Sequence, residues 1–178
     1  MNPAIESPPE STSPNMGDWR GESSTRPIAT STEFISFAIG DEQYGVDIMA
    51  VREIKGWSSV TQLPNQPDYM RGVLNLRGIM VPIVDLRCRF SQGLTETTAM
   101  HVVIVVHVGI KTVGLLADRV LDIVAVDASQ IQPVPQVTRH MRADFLSGLV
   151  TIETTMIALI NLNNLLTEPS ETESSAAA

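Results

Sequence analysis

In the stretch 72–90, GVLNLRGIMVPIVDLRCRF, two apolar runs meet at Arg77-Gly78 with room only for a tight turn between them. Val73, Leu74 and Leu76 lead into the turn, and the run leading out is rich in β-branched residues, the pattern of strands buried on at least one face. Pro82 has no N–H to offer a ladder, which predicts an edge or a bulge at that position. Upstream, FISFAIG and YGVDI form a hairpin about Gly40-Asp41. Asp47 then caps a short helix over 48–55, expected from the spacing of Ile48, Val51 and Ile54 and ended by Gly56. VTQL resumes as a strand, and 91–100 is polar and turn-like. In the second half HVVIVVHVG, TVGLLADRV and DIVAV are strands and SQIQPVPQ is a loop. Residues 145–153 and 156–161 make a last hairpin, closed by a helical turn at LNNLL.

The halves repeat each other. Residues 34–54 align without a gap on 103–123, and 69–86 on 145–162. Gly40 falls on Gly109, Gly45 on Gly114, Glu53 on Asp122, Ile54 on Ile123, Gly72 on Gly148, Met80 on Met156 and Asp85 on Asn161. Matched glycines within one frame are harder to obtain by chance than matched apolar positions, so Gly40, Gly45, Gly72 and Gly148 read as structural turn glycines, and Gly78 joins them as the second residue of the tight corner. A unit of about five short strands points to small barrels or a sandwich. One copy, about 65 residues, is marginal alone, so the two are expected to share an apolar interface with a groove between them as the binding site. At the organising corner Arg77-Gly78 becomes Glu153-Thr154 in the second copy, so the architecture needs a turn there but not an arginine.

Composition narrows the function. The chain has 178 residues, 43% hydrophobic and 4% aromatic, with a net charge of −8. Residues 1–33 hold five acids against two basic residues, and 167–178 hold three acids and no basic residue, which leaves the middle near neutral. Such a surface argues against binding to a phosphate backbone, and there is no aromatic stacking strip, so no nucleic-acid partner is expected. The segment 1–33, with five of the eleven prolines, is expected to be a disordered extension, with Trp19 beside Met16 and Ile28 as its one docking feature. Residues 167–178 are expected to be a disordered acidic tail. A folded domain over 34–166 would divide at about 34–100 and 101–166, with exchange of strands between the two parts left open. One cysteine excludes an internal disulfide, and no stretch nears the ~20 apolar residues that span a bilayer, so a cytoplasmic protein without direct membrane insertion is expected.

The candidates for catalytic chemistry are Cys88, His101 and His107. No GxSxG, GxxxxGK[ST] or GxGxxG occurs. Cys88 lies between Arg87 and Arg89, which would lower its pKa if they faced it. His101 and His107 lack a third ligand at suitable spacing, so neither a metal nor a cofactor is expected. Asp118 and Asp122 read as solvated positions near a turn. A small enzyme or ligand-binding barrel using these histidines or Cys88 is the competing class, and a nucleic-acid-binding barrel a third. The residues alone give an all-β interaction module.

GDEQYGVDI, VREIKG, LPNQPDYMRGVLNLRG and IMVPIVDLR, in this order and spacing, resemble the chemotaxis coupling proteins of the CheW family, and the second half, VGLLADRV through FLSGLVTIETTMIALINLNNLL (113–166), is similar to it too. The resemblance implies an all-β fold of two SH3-like five-stranded barrels sharing a core, with short helices. It implies a non-enzymatic adaptor between the cytoplasmic tips of methyl-accepting receptors and the regulatory domain of a CheA-type histidine kinase, recruited to membrane receptor arrays and self-associating in their rings. By the same resemblance Glu53 pairs with Arg77, and Val51, Asn75, Val102, Gly114 and Ile123 complete a receptor groove and its polar edge. Asp41, Tyr44 and Ile48 are the implied kinase contacts.

Overall fold

The computed structural model describes residues 31–135 and 143–167. The Trp19 feature and nearly all of both expected tails lie outside the described residues. The elements are β1 (Ser31–Ile39), β2 (Glu42–Asp47), a 3-10 turn (Ile48–Ala50), β3 (Val51–Gly56), β4 (Met70–Leu76), β5 (Ile79–Asp85), α1 (Leu86–Arg89), β6 (Val102–Val108), β7 (Lys111–Ala117), β8 (Arg119–Asp127), β9 (Leu146–Ile152), β10 (Thr155–Ile160) and α2 (Leu162–Leu165). They form two five-stranded sheets, β8-β1-β2-β10-β9 and β3-β6-β7-β5-β4. Replacing each strand of the first order by its partner in the sequence repeat gives the second order. Each barrel therefore takes one hairpin from each half of the chain, and neither half closes a barrel alone.

Three apolar clusters explain the sequence pattern. Ile35, Phe37 and Ile39 of β1 and Ile104 and Val106 of β6 face a core shared by both sheets. Their neighbours Val103 and Val105 face a second core inside one barrel, while Phe34 faces the third, inside the other. β1 and β6 are thus buried on both faces, which is why HVVIVVHVG has no polar alternation until its end. The repeat also holds in the backbone. Gly40 and Gly109 turn their hairpins at φ 60° and 59°. Asp85 and Asn161 cap α1 and α2, accepting from the N–H groups of Cys88 and Asn164 at 3.2 Å each.

Three expectations are corrected. The segment 48–55 is not a helix: one 3-10 turn leads directly into β3, which pairs antiparallel with β6. VTQL is no strand, and only Thr61 makes an isolated bridge, to Val73. Pro82 does not mark an edge strand, because β5 lies between β4 and β7. Pairing with β7 begins only at Ile83, so Pro82 occupies a position with a neighbour on one side alone. No helix among the described residues is long and apolar enough to cross a membrane.

Candidate functional site

β4 and β5 are joined by a two-residue corner, and a two-residue hairpin turn of matching twist needs positive φ at both positions. Arg77 accepts φ 52° and Gly78 φ 88°, while the side chain of Asn75 accepts the Gly78 N–H at 2.8 Å and fixes the corner. This geometry throws the Arg77 side chain outward, 86% exposed, and its Nη2 donates to Oε2 of Glu53 at 3.1 Å. Glu53 reaches it from β3, the far edge of the same sheet, beside a bulge between Val51 and Glu53. The ion pair therefore spans the two ends of a curled sheet.

The remaining groove candidates separate by burial. Val51 and Val102 are half-buried and pack on the margin of the shared core, as does Ile48, one of the kinase candidates. Ile123 is 55% exposed on edge strand β8 and pairs with the core residue Ile35. Gly114 presents no surface: a Cβ there would lie 2.5 Å from Ile83 Cδ1 and 2.7 Å from Val103 Cγ1, inside a barrel. Ile54, the repeat partner of Ile123, is exposed on the matching edge strand and was missed. The alignment itself carried that signal.

Of the kinase candidates, Asp41 is exposed at the β1–β2 corner, but Tyr44 is buried. Its ring stacks 4.9 Å from Phe90 and 6.1 Å from Phe37, and its hydroxyl donates to Glu42 Oε2 at 2.7 Å. Tyr44 is a core residue and can act on a partner only through that corner.

β8 is protected against strand addition. Its pairing with β1 is interrupted by a bulge, where Ser36 Oγ donates to Asp122 O at 2.9 Å and accepts the Asp122 N–H at 3.1 Å. The Ile123 N–H donates to the Asp122 carboxylate at 2.8 Å. Bulges and side chains that occupy edge donors blunt an edge toward another strand.

Asp118 is not the solvated residue expected. Gly40 N–H donates to its Oδ2 at 2.7 Å and Arg87 Nη2 at 2.6 Å, with His101 Nε2 3.5 Å from Oδ1. Burial opposes its charge, but the Gly40 N–H and the Arg87 guanidinium, with His101 beyond them, outweigh burial and hold the carboxyl below its ordinary value. A depressed folded pKa contributes stability that is present above the unfolded value and lost as pH falls through the folded one. Asp118→Asn should thus lose about 1–3 kcal/mol at pH 7. The difference from wild type in urea unfolding should shrink below about pH 3.8. Parallel pH profiles for the two proteins would show that the carboxylate contributes nothing.

An open cleft of about 550 Å³ beside this cluster is lined by Arg87, Leu94, Thr95, Met100 and His101 among others. It adds no nucleophile, and among the described residues no group of three metal-ligating side chains exists. Cys88 is not activated. Burial, then Asp85 and Asp68, push its thiol up, with only Arg71 opposing them. Arg87 is turned to Asp118, and Arg89 is sandwiched 4.4 Å and 4.5 Å from the ring centroids of Tyr69 and Phe145.

Comparison with known proteins matches this architecture. The family model described as the CheW-like domain covers residues 33–170. A probable chemotaxis protein CheW of Rhizobium etli is 47% identical over 145 residues, 82% of this chain and 92% of the relative. The chemotaxis protein CheW of Klebsiella aerogenes is 40% identical over 75% of this chain and 81% of its own length. Among solved structures, the scaffolding protein TtCheW from Thermoanaerobacter tengcongensis superposes with a TM-score of 0.71 at 29% identity, covering 80% of this chain and 92% of that one.

Proposed function

This chain belongs to the CheW family of chemotaxis coupling adaptors, and from that premise we propose that it joins the cytoplasmic tips of methyl-accepting receptors to the regulatory domain of a CheA-type histidine kinase, without turnover of its own. The adaptor works at membrane receptor arrays, where copies of it also contact one another. The receptor tip, a helical hairpin, lies against the edge carrying Val51, Glu53, Arg77, Val102 and Ile123, with Asn75 holding the corner. The kinase meets the Gly40-Asp41 corner and Ile48.

The exposed Glu53–Arg77 pair carries this reading. An ion pair this open contributes ~0–1 kcal/mol to stability, so it has little purpose as a structural brace. It does set a fixed pattern of charge beside half-buried apolar side chains, which suits a partner helix with apolar anchors. The capped Ile123 N–H and the bulges of β3 and β8 favour a helix over an added strand for the same reason.

The test is phosphorylation of the cognate kinase with receptor-bearing membranes, omitting each component in turn. Strong activation is expected only when receptor, kinase and this protein are all present. An unchanged rate with a folded protein and the right partners would remove the coupling role.

A further inference from the structure

The β1–β2 and β6–β7 corners, which the repeat lays on each other, share one backbone and differ in chemistry. Gly40 and Gly109 turn them at φ 60° and 59°. In the first copy Asp41 follows the glycine and Asp118 accepts the glycine N–H at 2.7 Å. The same frame puts Ile110 in the place of Asp41 and Met49 in the place of Asp118. These are the two most exposed large apolar side chains among the described residues, Ile110 at 96% and Met49 at 87%. The fold does not require them to be apolar, since its first copy is polar there. They stand at one end of the molecule, because Val51 pairs antiparallel with Val106, Met49 precedes Val51, and Ile110 lies just past the last pair of the β6–β7 ladder, Val108 with Lys111. β1 begins at that end too. Its Phe34 pairs with Asp47, whose carboxylate accepts the Met49 N–H at 2.8 Å, and Ser31 lies about 10 Å farther along the strand.

Residues 1–30 enter the fold at this end, and they carry the one sequence feature that the coupling role leaves unused, Trp19 with Met16 and Ile28. Trp19 stands twelve residues before Ser31, a length that spans up to about 40 Å, so the tether reaches Met49 and Ile110 with slack. We propose that residues 16–28 dock on this end of their own chain, with the Trp19 ring across Ile110 and Met49. A tether this short holds the segment at an effective concentration on the order of 1 mM, so a contact too weak to join separate molecules is filled within one chain. The segment carries Asp18 and Glu22 against Arg20 and Arg26, which makes the contact apolar rather than electrostatic. Ile48 lies in the same 3-10 turn as Met49, so the docked segment stands over one of the two places given to the kinase, while the Arg77–Glu53 corner is left to the receptor. The segment therefore competes with the kinase for Ile48, a consequence that alone rests on the coupling role proposed above.

Fluorine NMR of the full chain, with fluorotryptophan at both tryptophans, tests the dock, and Trp19→Phe identifies the Trp19 signal. In wild type that signal should stand apart from its position in urea. Ile110→Asp, which the first corner shows to be compatible with this turn, should return it there, as should Met49→Ser. Ile79→Asp, at the exposed β4–β5 corner, should leave it in place, and an unmoved Trp57 signal shows that each variant is folded. A wild-type Trp19 signal at its urea position, or one that neither Ile110→Asp nor Met49→Ser moves, overturns the dock. So does a signal that depends on protein concentration between about 20 µM and 1 mM, which would place the segment on a second copy. For the competition, Trp19→Ala should bind the cognate kinase at least about threefold more tightly than wild type, since the competent surface is then always free. Equal binding by the two overturns the competition and leaves the dock standing. A kinase bound by neither defeats the coupling role, and the competition with it, without touching the dock.

Discussion

Gly72→Ala loses about 3–5 kcal/mol of stability, a large part of the 5–15 kcal/mol that an ordinary domain has. Gly72 sits at φ 130°, a conformation that L side chains rarely adopt, and an added Cβ would overlap the Thr61 carbonyl oxygen and lie 2.8 Å from its carbon. Those atoms are backbone and cannot swing aside. They are held there by a reciprocal pair of hydrogen bonds, Thr61 N–H to Val73 O at 2.9 Å and Val73 N–H to Thr61 O at 2.8 Å. Relief requires breaking that bridge, about 1 kcal/mol for each bond, on top of strain of about 1–3 kcal/mol.

Comparison glycines set the scale. Gly148 carries the equivalent bridge, between Gln132 and Leu149, but its new Cβ would meet the Ile131 methyl at 2.5 Å and Gln132 O at 3.0 Å. The Gln132 carbonyl stands farther off than the Thr61 carbonyl does at Gly72, and Gly148 has no left-handed backbone to strain, so Gly148→Ala should lose less, about 1–3 kcal/mol, most of it in displacing the β-branched Ile131. Gly78, at φ 88° with nothing within 4 Å, has only its backbone conformation to lose, about 1 kcal/mol in Gly78→Ala. Urea unfolding followed by circular dichroism gives the order directly. Equal losses at Gly72 and Gly78 would mean that the loop carrying Thr61 is not fixed where the structure has it.

These glycines also show how far the sequence could be read. Matched Gly72 and Gly148 proved to be two places where a loop crosses a strand, and matched Gly40 and Gly109 two of the hairpin corners. The repeat was therefore a statement about backbone geometry, and it was stronger than any single motif. In residues 48–55, Ile48, Val51 and Ile54 recur every third residue and so read as a helix, yet the repeat lays Val51 to Ile54 on Val120 to Ile123, within a run that reads as strand. The bulge between Val51 and Glu53 is the physical source of the error. An extra residue in an edge strand breaks the period of two and imitates a helical spacing over so short a run.

The site was legible in part for a related reason. Arg77 could be singled out because a charged residue at an apolar corner must find water or a partner, and both are present. Gly114 and Tyr44 could not be placed, since depth in a fold of exchanged strands depends on which half of the chain covers each face. Asp118 was misjudged by the same route: its partners Gly40 and Arg87 are 78 and 31 residues away, beyond any local pattern.

Arg77 is also where stability and function should part most clearly. Arg77→Glu should abolish receptor-dependent activation of the kinase while moving the melting temperature by no more than about 2–4 °C. The ion pair is worth ~0–1 kcal/mol, and in a chain of this size 1 kcal/mol moves Tm by about that much. Glutamate is compatible with the corner, because Glu153 holds the same backbone conformation in the second copy. The functional loss has a different origin. The reversed residue lies beside Glu53, so the edge that met a partner with a carboxylate and a guanidinium now presents two carboxylates, and receptor binding should fall by at least about tenfold, or ~1.4 kcal/mol. Arg77→Gly separates the pair from the strain: it relieves the positive φ, should leave Tm level or slightly higher, and should still lose activation. Exchanging the two residues, Glu53→Arg with Arg77→Glu, rebuilds an ion pair with its polarity inverted. Recovery by that exchange would mean that only the closure of the sheet mattered, whereas continued loss means that the guanidinium itself meets the receptor. A fall in Tm beyond about 8 °C in Arg77→Glu would defeat this account and make Arg77 a structural residue, since it would require more than about 2 kcal/mol from a side chain that stands almost wholly in water.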